Sequence, residues 1–149
     1  MRAPALCCIV AALAGCAKSE NKVPAESAAN PPPHVALADV AGTWNMKAMN
    51  AAKDTTLVTY ELKATADTSG WIINFTNRPP VPVRVSTDGA NVVTDAGPYS
   101  SMLRKNVQVW VHSVMHLDNG KLVGTSIAHY SVKTADSVRT LAAEGTRAQ

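Results

Sequence analysis

At 149 residues and a net charge of +3, the chain is too weakly basic to argue for nucleic acid, and removing Arg2 with a leader would leave only +2 (3 − 1). Its three cysteines, Cys7, Cys8 and Cys16, all sit near the start, so whatever folds after them must hold together without a disulfide. What remains after a leader and a tether is roughly 110 residues, the usual size of one independent domain.

Met1-Arg2 gives a positive start, and Ala3 to Leu13 is apolar apart from Pro4. This is signal-peptide grammar, and a run of about eleven residues is too short for a bilayer span of roughly twenty. The run ends in Leu13-Ala14-Gly15-Cys16, which resembles the lipobox of bacterial lipoproteins. That resemblance implies a signal peptide over 1–15 and a Cys16 that is diacylated on sulfur, becomes the mature N-terminus and is acylated again on nitrogen. Ordinary secretion is the competing reading, because Ala12-Leu13-Ala14 also satisfies an A-x-A cleavage rule. Several acyl chains at about 0.8 kcal/mol per buried methylene make a lasting anchor, so the implied partner is a membrane and the implied location the bacterial cell envelope. Ala17 stands where some inner-membrane lipoproteins carry Asp, which tilts the implied address to the periplasmic face of the outer membrane.

Residues 16–37 form the expected tether. They hold few large apolar side chains, mixed charge and the step Pro31-Pro32-Pro33, too little apolar surface to offset the entropy of ordering.

From Val40 the period becomes two and the punctuation becomes Gly, Pro, Asn and Asp. Eight strands are expected within a 38–149 domain, in the stretches 41–48, 57–65, 71–75, 81–85, 92–94, 106–117, 121–132 and 137–147. The one helix-like stretch is Ala48 to Lys53. Asn77-Arg78-Pro79-Pro80 and Ala96-Gly97-Pro98-Tyr99 read as loops. Eight short alternating strands indicate an all-β antiparallel barrel or sandwich. Pro82 cannot donate to a ladder, so the barrel is expected to be splayed or incomplete beside its strand.

Asp118-Asn119-Gly120-Lys121 is the best-determined turn, because Asn-Gly favours a type I′ hairpin and long alternating runs flank it. The implied register places Met115 opposite Gly124, Val111 opposite Ala128 and Val109 opposite Tyr130 on one face. Trp110 opposite His129, His112 opposite Ile127 and His116 opposite Val123 fall on the other. His112 and His116 are four strand residues apart, roughly 13 Å, too far to share an ion. His112 and His129 are diagonal neighbours without an evident third ligand, so neither a metal nor a cofactor is expected.

Gly42-Thr43-Trp44 opens the first strand and Arg147 closes the last. This pattern is similar to that of the calycins, the lipocalins and fatty-acid-binding proteins. The resemblance implies a lipocalin-like barrel whose closed end is sealed by Arg147 over Trp44, with Gly42 at the corner. Parity agrees, since Trp44 is in phase with Met46 and Ala48, and Arg147 with Leu141 and Ala143. The chain departs from that pattern in being short and in showing neither a disulfide, a C-terminal helix nor a helical lid.

No G-x-S-x-G, H-E-x-x-H, phosphate loop or C-x-x-C occurs, so a non-enzymatic role is expected. In a barrel, the inward wall of the seventh strand is thin, with Gly124, Ser126, Ala128 and Tyr130. Met46, Tyr60, Leu62, Ile73, Phe75, Val83 and Val109 face it. Such an uncharged interior suits a small hydrophobic molecule or lipid. The alternative is a barrel filled by Trp44, Trp71, Phe75 and Met115, whose outer face around Trp110, His112 and His129 docks an envelope protein or inhibits an enzyme.

Overall fold

The computed structural model describes residues 33–149. One helical turn, α1 (Leu37–Val40), precedes eight strands: β1 (Gly42–Met49), β2 (Thr56–Ala64), β3 (Ile72–Asn74), β4 (Val81–Asp88), β5 (Asn91–Ser100), β6 (Gln108–Asp118), β7 (Lys121–Tyr130) and β8 (Val138–Arg147). Each strand pairs antiparallel with the next and β8 pairs back onto β1, closing an eight-stranded lipocalin-like barrel in sequence order. The leader over 1–15, Cys16 and most of the 16–37 tether lie outside the described residues. Val35 already belongs to the packed body: its N–H donates to Gly89 O at 2.9 Å, and it lies with Leu37 against the core.

Asn119 and Gly120 have φ of 47° and 78°, the left-handed pair that a type I′ turn requires. That turn sets the β6–β7 register, with Met115 opposite Gly124, Val109 opposite Tyr130 and, on the outer face, Trp110 opposite His129.

Three sequence expectations are corrected. The barrel is closed rather than splayed at Pro82, although β3 is short and meets β4 only at Ile72–Pro82 and Ile73–Val81. Val83 N–H donates to Trp71 O at 3.0 Å. By strand alternation the missing N–H of Pro82 falls on the β5 side, beyond the Val83–Ala96 pair where β4–β5 pairing begins. The stretch Ala48 to Lys53 is not helical. Ala48 and Met49 end β1, paired to Ala143 and Ala142 of β8, so sheet pairing overrides their local helix preference.

The segment Ala96 to Tyr99 is not a loop but a bulge inside β5. Ala96 faces Val111 and Tyr99 faces Val109, so β5 carries one residue more than β6 between these pairs. Gly97 makes this possible, with φ at 116° and Val109 O so near that a Cβ would sit 2.6 Å from it. The extra residue reverses the alternation, and Tyr99 turns from the outer face to the inner one.

β1 begins and β8 ends at the same rim, and there the barrel is filled. Trp44, Trp71, Met46, Leu62, Leu122 and Val40 are fully buried together. Trp44 Nε1–H donates to Val40 O at 2.8 Å, which ties α1 under the barrel floor. Arg147 lies over the Trp44 ring, its Cζ 4.4 Å from the centroid, and donates to Ala41 O at 2.7 Å and to Asp39 O. A Cβ on Gly42 would meet the Arg147 guanidinium at 2.8 Å, so glycine at that corner leaves the arginine its place.

Candidate functional site

The fully buried Trp44, Trp71, Met46 and Leu122 fill the floor, and a cavity opens toward the other end. A cavity of about 60 Å³ runs along the upper half of the barrel. Of the residues expected to face a ligand, Tyr60, Leu62, Ile73, Phe75, Val109, Ser126, Ala128 and Tyr130 line it.

Met46, Val83 and Gly124 lie outside it. Met46 and Val83 are buried in the core, Met46 filling the space that Gly145 leaves open. Gly124 is bare for a different reason: a Cβ there would overlap Val114 O and the Met115 Cα of the neighbouring strand. Its missing side chain lets two backbones approach and does not widen the cavity.

Further lining comes from residues not named as ligand-facing from the sequence, among them Met115, which the alternative reading placed as core filling. Thr94 and Ala96 of β5, Val111, Ser113 and Met115 of β6, Ala48 of β1, Val58 of β2 and Leu141 of β8 face the same space. Tyr99 joins them through the bulge. Ser113 and Ser126, opposite each other, bond Oγ to Oγ at 2.7 Å, which satisfies two hydroxyls inside an apolar wall. The lining contains no Asp, Glu, Lys, Arg or His.

Tyr60, Phe75 and Tyr99 form a continuous aromatic band, with centroids 5.7 Å apart for Tyr60–Phe75 and 5.4 Å for Phe75–Tyr99. Burial pushes the Tyr99 phenol up to about 12, the neighbouring Tyr130 adding to the rise. Burial drives Tyr60 higher still, helped by Tyr99. Tyr60 keeps some accessible area and lines the cavity, which fits a side chain facing an internal space.

The segment 101–107 between β5 and β6 covers the upper rim. Ser101 is buried, and its Oγ accepts the N–H groups of Leu103 and Arg104, both at 3.0 Å, while Ser101 N–H donates to Val107 O at 2.8 Å. This compact turn hangs Met102 and Leu103 over the cavity. Met102 both lines the space and is 39% exposed, marking the mouth. Arg104 then reaches across the rim, its Cζ 4.2 Å from the Tyr130 ring centroid. It donates to Asp136 Oδ2 and Asp136 O, both at 2.7 Å. Hydrogen bonds from Thr134 and then Arg104 hold the Asp136 carboxyl below its ordinary value. On the other side Arg78 donates to Ser100 O at 2.7 Å. Two arginines thus pin the ends of one short cover.

On the outer face, His112 pairs with β5: its Nδ1–H donates to Asp95 Oδ1 at 2.9 Å. Among the described residues no three His, Cys, Asp or Glu side chains are placed to hold a metal ion. Trp110 remains 43% exposed in a shallow depression with Arg84, Asp95, His112 and His129.

No known protein family, curated protein or solved structure matches the chain.

Proposed function

We propose that this is a non-enzymatic envelope lipoprotein, tethered through Cys16, whose barrel takes up a small hydrophobic molecule under the Met102–Leu103 cover. The observation that carries the binding reading is a cavity with no ionic side chain in its lining, away from the fully buried Trp44, Trp71, Met46 and Leu122 at the floor. A barrel of eight strands either fills with side chains or holds one small molecule, and the cavity under the cover supports the second option for that end. The volume limits the ligand. Pockets for drug-sized molecules run to about 300–1,000 Å³, so a cavity of about 60 Å³ suits something compact, admitted as the cover gives way. Anchoring rests on the leader and Leu13-Ala14-Gly15-Cys16.

Two measurements test the two halves. Cys16→Ala should move the protein out of the membrane fraction or leave it unprocessed; retention as tight as the parent's would sink the anchor. Native mass spectrometry of the chain isolated from its own host should show a small mass beyond protein and acyl chains, released on activation. Its absence, together with failure of added toluene to bind, would remove the cavity reading.

The exposed Trp110 favours a second reading, docking of an envelope protein on the β5–β7 outer face. Trp110→Ala should then abolish a cross-link to that partner in intact cells and leave cavity binding unchanged.

A further inference from the structure

We propose that Tyr60, Tyr99 and Tyr130 form a polar reader inside the cavity, so that the molecule held there is neutral, compact and terminated by a hydroxyl or a carbonyl. This rests on the cavity reading above and goes beyond it by naming the chemistry of the ligand. The three phenols arrive from different strands: Tyr60 from the middle of β2, Tyr99 from the end of β5 by way of the bulge, and Tyr130 from the end of β7. Phe75 between Tyr60 and Tyr99 fixes both rings from the side, and the Arg104 guanidinium holds the Tyr130 ring.

Among the described residues, none of the side-chain hydrogen bonds involves a phenol oxygen of these three, and no fully occluded side-chain nitrogen or oxygen lacks a partner. The oxygens therefore face accessible space, and the cavity is the space that all three line. Tyr130 is only 6% exposed. A core built only for packing has no use for three such hydroxyls, since enclosing one without a partner is costly and phenylalanine fills the same volume. Phe75 shows that a bare ring fits this wall.

The partner is water or a ligand's polar end. Its charge is set by the surroundings: with no ionic side chain in the lining, a carboxylate or ammonium would lose its hydration and find no countercharge. A phenol offers one donor and can accept as well, which matches a carbonyl or a hydroxyl. The size also follows. Benzene occupies an engineered cavity of about 150 Å³, so a single ring enters this one of about 60 Å³ by displacing Met102 or Met115, whose unbranched side chains repack easily.

The test uses the full chain in detergent micelles, with the methyl resonances of Met102 and Met115 as reporters. Toluene, benzyl alcohol, benzaldehyde, benzoate and benzylammonium are titrated into the parent, Tyr60→Phe and Tyr99→Phe. The same micelles are present throughout, so partition cancels between parent and variant. Benzyl alcohol and benzaldehyde should bind the parent, and each Phe variant should lose about tenfold, or about 1.4 kcal/mol, on those two alone. Toluene affinity should stay unchanged in the variants, and the two charged probes should leave both reporters unmoved. If toluene binds but the Phe variants bind benzyl alcohol as the parent does, the phenols meet only water; the reader is then overturned while the cavity reading survives. Silence of both reporters toward all three neutral probes removes the cavity reading and the reader together. Equal binding of benzoate and benzyl alcohol by the parent overturns the reader, whatever the folding of the variants.

Discussion

Arg147 lies over Trp44, the guanidinium carbon 4.4 Å from the ring centroid, while the same guanidinium bonds the carbonyls of Asp39 and Ala41. One side chain of the last strand thereby clamps the first strand to the helical turn beneath the barrel. Trp44 is fully buried, so Trp44→Ala should cost about 3–5 kcal/mol in urea unfolding. Arg147→Ala should cost less, about 1–3 kcal/mol, from the cation–π contact and the charge-assisted bonds together. Because the residues touch, the double variant should be less destabilised than the sum of the singles. Strict additivity would mean that the clamp does not couple them.

Two inward glycines separate backbone crowding from side-chain crowding. At Gly145 an added Cβ meets the flexible end of Met46; at Gly124 it meets the backbone of Val114 and Met115. Methionine can move and a paired strand cannot. Gly145→Ala should therefore cost about 1 kcal/mol and Gly124→Ala about 3 kcal/mol or more, as overpacking does when nothing yields. The reverse order in denaturant midpoints would contradict the strand approach at Gly124.

Alkaline titration reads the enclosed phenols. Tyr99 ionises at about 12 in the folded barrel, against an ordinary value of 10.0, and Tyr60 is raised in the same direction. Above pH 10 the unfolded chain gives up these protons while the folded chain keeps them, so the unfolded state binds fewer and stability falls as pH rises. The contribution is complete below pH 10 and is lost toward 12, at about 1.4 kcal/mol per pH unit for each fully displaced tyrosine. Phenolate absorbance from Tyr60 and Tyr99 should accordingly appear together with loss of the strand signal in circular dichroism. Normal ionisation of Tyr60 and Tyr99 near pH 10 in an intact barrel would contradict their enclosure.

The cover over the cavity is held by Arg104 on Asp136 and Tyr130. Arg104→Ala should raise hydrogen–deuterium exchange over 101–107 and speed the arrival of a hydrophobic probe. The global stability change should stay within about 1 kcal/mol, since the ion pair is at the surface. Unchanged exchange in that segment would show that the Ser101 turn alone holds the cover.

How far the sequence reaches is clearest along β5. Period-two alternation and the Asn119-Gly120 turn carry the strand count and the β6–β7 register, and the Trp44–Arg147 contact is implied by the resemblance of Gly42-Thr43-Trp44 and Arg147 to the calycin pattern, with which parity agrees. The alternation is then broken at Gly97-Pro98 by a bulge. Inward and outward cannot be counted through it without knowing the close approach to Val109 O, and so Tyr99 reads as loop. Met102 and Leu103 sit in a segment without periodicity, where only tertiary contacts decide what they cover. Gly124 reads as empty wall because a sequence shows the missing side chain and not the backbone that needs its absence. The closure of the barrel beside Pro82 depends likewise on which neighbour its missing N–H would have faced.

We read the upper barrel as space for a guest rather than packed core, and Ala128 lies on its wall, 2% exposed. Ala128→Leu puts side chain where the guest would sit. Toluene binding followed by the Met115 methyl resonance, with urea unfolding alongside, measures both consequences in one protein. A receptive cavity predicts that the parent binds toluene, and that Ala128→Leu binds none while keeping its stability to within about 1 kcal/mol. A parent that binds nothing, with Ala128→Leu destabilised by about 1–3 kcal/mol through overpacking, would contradict it.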